Sequence, residues 1–258
     1  MFKLRARFTP VVIGIAAAGM LAGPAQAALR SQLAAGYQAN HQTSHQPFRY
    51  VAASWTVPPL SCPGPTASGG SDGDSYFYVA LASGRFGAGQ GGVPGSEQVG
   101  VRELCAGILS AYTAYAVMNG AYEIQNVTPS PGDVIFASVY YRAGKYRFAL
   151  RDQTANKSFS FWSACGGGFF GGLRSTCGRL TADVAVGTGI PGLTLARYGV
   201  AAFSKIAIGD AGGHTGSLAS NRHWKVSRYD EYDASRLVAS PSALTRRGTR
   251  FTDRWRDF

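Results

Sequence analysis

Two short runs hold the polar residues best placed to do chemistry. In Ser96-Glu97-Gln98-Val99-Gly100-Val101-Arg102-Glu103, strand alternation puts Gln98, Gly100 and Arg102 on one face. In Leu180-Thr181-Ala182-Asp183-Val184-Ala185-Val186, it puts Thr181, Asp183 and Ala185 opposite the apolar Ala182, Val184 and Val186. A side-chain amide on one strand and a carboxylate on another can meet across a concave sheet. A glycine beside the glutamine leaves room for a ligand or another backbone. The plainer reading of the same residues is two exposed strand faces.

Other motifs lack the context their chemistry needs. Gly69-Gly70-Ser71-Asp72-Gly73 has the G-x-S-x-G form of a nucleophile elbow, but it lies in a loop that leads into a strand, not on a strand-to-helix turn. Gly87-Ala88-Gly89-Gln90-Gly91-Gly92 has phosphate-loop spacing with no helix after it. His214 and His223 lack metal-ligand spacing, so no metal site is assigned. Asn126-Val127-Thr128 and Asn156-Lys157-Ser158 are glycosylation sequons, relevant only in a host that glycosylates.

The elements that must position such residues are strands. Short β-branched and aromatic runs at 97–105, 109–118, 133–141, 145–151, 158–163, 180–186, 193–195, 198–208 and 222–229 are separated by turn residues. Earlier runs cover Arg49 to Val57 and Tyr76 to Leu81, and no long stretch has helical periodicity. Ser130-Pro131-Gly132-Asp133 and Ala143-Gly144 read as turns. The expected fold is all-β: a single-domain antiparallel β-sandwich of two packed sheets, concanavalin-like, over residues 48–258.

The N-terminus reads as an export signal. Lys3, Arg5 and Arg7 precede an apolar run from Val11 to Ala22, and Ala25-Gln26-Ala27 is a cleavage site. The run is too short for a comfortable span, and no later segment is long and apolar enough, so no stable membrane insertion is expected. Cleavage after Ala27 would lower the net charge from +11 to +8 and release a secreted or periplasmic protein. Residues 28–47, polar and Gln-rich, read as a leader. The arginines at 246, 247, 250, 254 and 256 read as a solvated basic tail, and no nucleic-acid partner is expected without an aromatic-basic motif. Four cysteines after a signal peptide imply disulfides. Three pairings are possible. The local Cys165–Cys177 is preferred, leaving Cys62–Cys105.

Several segments, in order, resemble the eqolisin family of glutamic peptidases. Ser54-Trp55-Thr56-Val57-Pro58 is similar to its opening strand, and Tyr76-Phe77-Tyr78-Val79-Ala80-Leu81 to the next. Glu97-Gln98-Val99-Gly100 matches the strand of the catalytic glutamine, and Thr181-Ala182-Asp183 falls where the family carries its glutamate. Ser130-Pro131-Gly132-Asp133, the run from Leu195 to Ser204, and the segments Ser240 to Leu244 and Gly248 to Thr252 match further positions. The resemblance covers roughly 48 to 255 and implies a monomeric, cofactor-free endopeptidase acting on polypeptides, best in acid. It implies Gln98 and Asp183 as the catalytic pair, with Trp55 and Tyr115 lining the cleft. Three departures stand out. Asp183 is one methylene shorter than glutamate, Ala114-Tyr115-Ala116-Val117 replaces Ala-Trp-Tyr-Glu, and Ala80-Leu81-Ala82 replaces Gly-Ile-Asp. They open an alternative, an inactive homologue that binds peptide or glycan in the same cleft. A cell-surface interaction module is a third reading.

Overall fold

The computed structural model describes residues 28–41, 46–62, 73–82, 96–118, 121–165, 179–188, 195–219 and 221–256. Among these there are sixteen strands and no helix. The first five are β1 (Leu29–Ser31), β2 (Ala35–His41), β3 (Phe48–Thr56), β4 (Asp74–Ala82) and β5 (Ser96–Ala106). Next come β6 (Leu109–Met118), β7 (Ala121–Ile124), β8 (Val134–Arg142), β9 (Lys145–Asp152) and β10 (Lys157–Ala164). The last six are β11 (Thr181–Gly187), β12 (Val200–Asp210), β13 (Thr215–Gly216), β14 (Trp224–Asp233), β15 (Arg236–Pro241) and β16 (Phe251–Trp255).

One hydrogen-bonded path runs β10-β9-β8-β3-β12-β16-β15-β14-β2-β11-β4-β5-β6-β7. It folds over through β16, β15 and β14, so that β3, β8 and β9 pack on β4, β5 and β11. The result is a β-sandwich. Its core interdigitates Val51, Ala53, Trp55, Val139 and Phe148 of one layer with Phe77, Val79, Val101 and Val184 of the other. Burying each large side chain contributes about 1.5–3 kcal/mol. The tight hairpin between β8 and β9 turns through Ala143 and Gly144, both with positive φ (48° and 76°), as a two-residue primed turn requires. Asp133 closes the preceding turn: its carboxylate accepts from the Ser130 amide at 2.7 Å.

Cys62 and Cys105 form a disulfide that ties the segment after β3 to the end of β5. Closing a loop with a sequence separation of 43 removes about 4 kcal/mol of unfolded-chain entropy. Cys165 is also disulfide-bonded, and Cys177 lies outside the described residues.

Three expectations need correction. Residues 28–41 are no leader, because β2 is a central strand between β14 and β11, and β1 pairs with β14 in parallel. Buried Tyr37 and Ala39 hold β2 in the core. The C-terminal arginines are not a loose tail either. β16 pairs with β12 and β15, burying Phe251 and Asp253 while Arg254 stays exposed. The strand expected at 193–195 is not formed at Leu195, and its first two residues lie outside the described part.

Candidate functional site

Register brings the two predicted polar runs onto one face of one sheet. Asp183 on β11 lies opposite Ala80 on β4, and Ala80 lies opposite Gln98 on β5. On the other side, Asp183 lies opposite Gln38 on β2. Directly paired residues point to the same face, so Gln38, Asp183, Ala80 and Gln98 form one row. Gln98 and Asp183 stand two strands apart, about 10 Å between backbones. The row member between them is Ala80, itself 1% exposed. This face points away from the main core and has its own small cluster of Tyr76, Tyr78, Tyr115 and Tyr229 with Ala34, Ala80 and Ala185.

Each side chain of the pair is held from behind. The Gln98 amide donates through Nε2 to the Tyr115 hydroxyl. Tyr115 is fully buried, meets Tyr76 edge-on at 5.2 Å and stacks on Tyr122 at 5.2 Å. Asp183 is only 2% exposed, and its Oδ1 has no hydrogen-bond partner among the described residues. Burial pushes its pKa from 3.8 up to about 8, against hydrogen bonding with Gln38 and Thr181 that favours the charged form. At neutral pH and below, this group is a carboxylic acid. Burial also holds the Tyr78 hydroxyl well above its ordinary value, reinforced by the charges of Asp183 and Glu231.

The core side of the same strands fixes their spacing. Glu97, adjacent to Gln98, points inward and pairs with Arg179 at 2.7 Å, both side chains 1% exposed. Arg179 lies four residues before Asp183, so the pair joins the two strands of the row. Losing one partner of such a buried pair costs about 3–5 kcal/mol. Gly100 lies opposite Tyr78, one step along β5 from the row. A Cβ there would meet the Phe77 carbonyl oxygen at 2.0 Å, so the two backbones would have to separate. Gly100→Ala is therefore expected to destabilise the protein by about 3 kcal/mol or more. Equilibrium urea unfolding measures this, and a loss under about 1 kcal/mol would show that β4 and β5 are not locked together.

The predicted site residues divide. Gln98, Asp183 and Tyr115 share a face, as their alternation requires. Trp55 does not join them. It is 1% exposed in the main core, with its ring 5.7 Å from that of Phe203. On β3, alternation turns Val51, Ala53 and Trp55 inward together, so Trp55 packs the sandwich and lines no cleft. Gln38, Tyr78 and Tyr229 were not foreseen. Tyr229 donates to Gln38 Oε1 at 3.3 Å. The alternation Tyr37-Gln38-Ala39-Asn40 was the available signal for Gln38. Of the G-x-S-x-G run only Gly73 is among the described residues, just before β4, and the Gly-rich run at 87–92 lies outside them.

A sandwich with an amide and a buried acid in one row of a tyrosine-lined face is the candidate site of this chain. The chain belongs to the Peptidase A4 family, whose model matches residues 32–243. Its fold is similar to that of Scytalido-glutamic peptidase, solved with a peptide-based transition state analog. That match has a TM-score of 0.63 and 17% identity, and covers 87% of this chain and 99% of that one. A weaker match, to the tailspike protein 2 of Bacteriophage CBA120, has a TM-score of 0.36 and 12% identity. It covers 63% of this chain and 22% of that one, and carries no argument. Comparison with curated proteins by sequence gives no match.

Proposed function

We propose that the protein is an exported endopeptidase that hydrolyses peptide bonds in polypeptides between Gln98 and Asp183. The observation that carries this reading is the shared register row, which puts Gln98 and Asp183 on one face two strands apart with the small Ala80 between them. Ionised Asp183 takes a proton from a water above Ala80, and the resulting hydroxide attacks the peptide carbonyl. The Gln98 amide donates to the oxyanion, and protonated Asp183 returns the proton to the leaving nitrogen. Tyr115 is a positioning residue, because its hydroxyl accepts from the Gln98 amide. Export rests on the N-terminal signal pattern, and the Cys62–Cys105 disulfide suits an oxidising compartment. The chemistry uses no cofactor.

A second reading, a homologue that holds peptide without cleaving it, is favoured by the burial of Asp183 and its shorter side chain. Incubation of the purified protein with an unfolded substrate protein, followed by mass spectrometry of the products, separates the two. Hydrolysis is expected to fall at least about a hundredfold in Gln98→Ala and in Asp183→Asn. Asp183→Glu is expected to raise it about tenfold or more, by carrying the carboxyl toward Gln98. Cleavage that survives Asp183→Asn would remove this residue from the mechanism. Peptide binding without products at any pH would establish the second reading.

A further inference from the structure

The outer face of the opposite layer has the makings of a second binding site. Four-strand register across β10, β9, β8 and β3 aligns Trp162, Arg147, Tyr140 and Tyr50 in one row. Four residues further along, about 13 Å away, a second row aligns Ser158, Arg151, Phe136 and Ser54. Between them runs a row of small residues, Ser160, Ala149, Ser138 and Ala52. The face is therefore a trough across β10, β9 and β8, with Trp162, Arg147 and Tyr140 on one wall, Arg151 and Phe136 on the other, and a floor of Ser160, Ala149 and Ser138, while Ala52 and Ser54 of β3 are buried and take no part in it. Its second wall opens into a cavity of about 450 Å³ lined by Phe136, Arg151 and Gln153.

The charge on this face has one sign. Arg142, Lys145, Arg147 and Arg151 are all exposed there, and none pairs with a carboxylate among the described residues. Arg147 donates one hydrogen bond to Ser160 at 3.1 Å, and Arg151 one to Asn156 at 3.0 Å. A guanidinium has five N–H donors, so most of each fork stays free. Trp162 is 49% exposed, an unusual position for a tryptophan on a solvated sheet. It is held at one end by an edge-on contact with Tyr140 at 6.3 Å, which in turn meets Tyr50 at 6.4 Å.

We propose that this trough binds an acidic polysaccharide. The Trp162 ring offers a flat apolar surface for the C–H face of a sugar. The serine hydroxyls of the floor both donate and accept, matching sugar hydroxyls. Arg147 and Arg151 offer bidentate forks to carboxylates along the chain. A nucleic acid shares the charge complementarity, but its bases need ring faces to stack on. Here Tyr140 and Tyr50 are edge-on to their neighbours, leaving Trp162 the one ring in the row that is close to half exposed. The site lies on the other layer from Gln98 and Asp183 and stands whether or not that pair is catalytic.

Affinity gel electrophoresis of the full chain tests the proposal, with polygalacturonate, its methyl-esterified form, neutral dextran and a single-stranded oligodeoxynucleotide as probes. Polygalacturonate is expected to retard the protein and the esterified form and dextran far less. Trp162→Ala is expected to weaken the retardation about tenfold, as loss of a stacking platform does. Arg147→Ala and Arg151→Ala should each weaken it and flatten its salt dependence, while proteolysis or peptide binding at the other face stays unchanged. All three substitutions are at exposed positions, and circular dichroism confirms folding. The proposal is overturned by equal retardation on dextran, by polygalacturonate binding that Trp162→Ala leaves intact, or by no retardation at low salt. Tighter Trp162-dependent binding of the oligonucleotide would assign the trough to nucleic acid instead.

Discussion

Raising the pH from 4 to 8 is expected to lower the melting temperature by about 10 °C or more. The cause is a set of buried carboxyls that fold as neutral acids. Burial raises Asp183 from 3.8 to about 8, Glu231 from 4.5 to about 8 and Asp253 from 3.8 to about 7. Burial also raises Glu103 well above 4.5, and neither of its oxygens has a partner among the described residues. Asp253 accepts from the Tyr198 hydroxyl at 2.6 Å, which offsets only part of the effect. A folded-state pKa above the unfolded one means the native protein holds more protons in the interval between them. Stability is then complete below the unfolded value and is lost as pH rises toward the folded one. Each pH unit of that interval is worth about 1.4 kcal/mol per group, so even one such carboxyl bears on the order of 5 kcal/mol. Whole domains have only about 5–15 kcal/mol to lose.

Asp210 has the opposite sign but acts elsewhere on the scale. Burial works against its charge, yet hydrogen bonds from the His214 ring and backbone hold its pKa below the ordinary value. Its contribution is present above the unfolded carboxylate value and lost only as pH falls below about 4. The window from 4 to 8 therefore belongs to the buried acids. Asp253→Asn keeps an acceptor for Tyr198 and should flatten the slope, as should Glu231→Gln. Thermal scans with the disulfides intact measure it. A melting temperature that is flat or rises between pH 4 and 8 would mean that these carboxyls fold ionised.

Local periodicity made most strands of the fold legible, because each needs only its own alternation and a turn. The hairpin through Ala143-Gly144 and the turn at Ser130 to Asp133 are local in this sense, and so is the facing of Gln98 with Gly100. What alternation could not supply was the identity of the two faces. On β3 both faces are largely buried, so Trp55 could have pointed to either, and the choice was made by Phe203 on a strand nearly 150 residues away. The strand β2 was hidden for a related reason. Its neighbours β11 and β14 lie more than a hundred residues along, and Gln38 and Asn40 read as polar loop until those partners bury Gln38 and half-bury Asn40. Recognition of the pair Gln98 and Asp183 came from their family-like settings, whereas their common row depends on Ala80, whose small side chain gave no signal of its own.

The catalytic proposal meets the buried acid in its pH profile. For the free enzyme, kcat/KM is expected to rise close to tenfold per pH unit from pH 5 toward 8, some hundredfold or more in all. Only ionised Asp183 can take a proton from water, and below its pKa of about 8 that fraction falls tenfold per unit. The family resemblance implied best activity in acid. This chain is expected to depart from that, because Asp183 is almost fully enclosed, with Oδ1 unpartnered among the described residues, and its contacts with Gln38 and Thr181 do not offset the lost solvation. Stability is expected to fall over the same interval, so the usable range would lie between the proposed base, which needs high pH, and the core, which needs low pH. Asp183→Glu puts the carboxyl farther out, nearer the Gln98 amide, and is expected to move the rising limb to lower pH as well as raise the rate. Initial rates on a fluorogenic peptide from pH 4 to 8, with the folded fraction followed by tryptophan fluorescence at each pH, give the profile. A limb that is flat or falls with rising pH while the protein stays folded would exclude Asp183 as the base. An unchanged limb in Asp183→Glu would place the titrating group elsewhere, with Glu231 the next acid to replace.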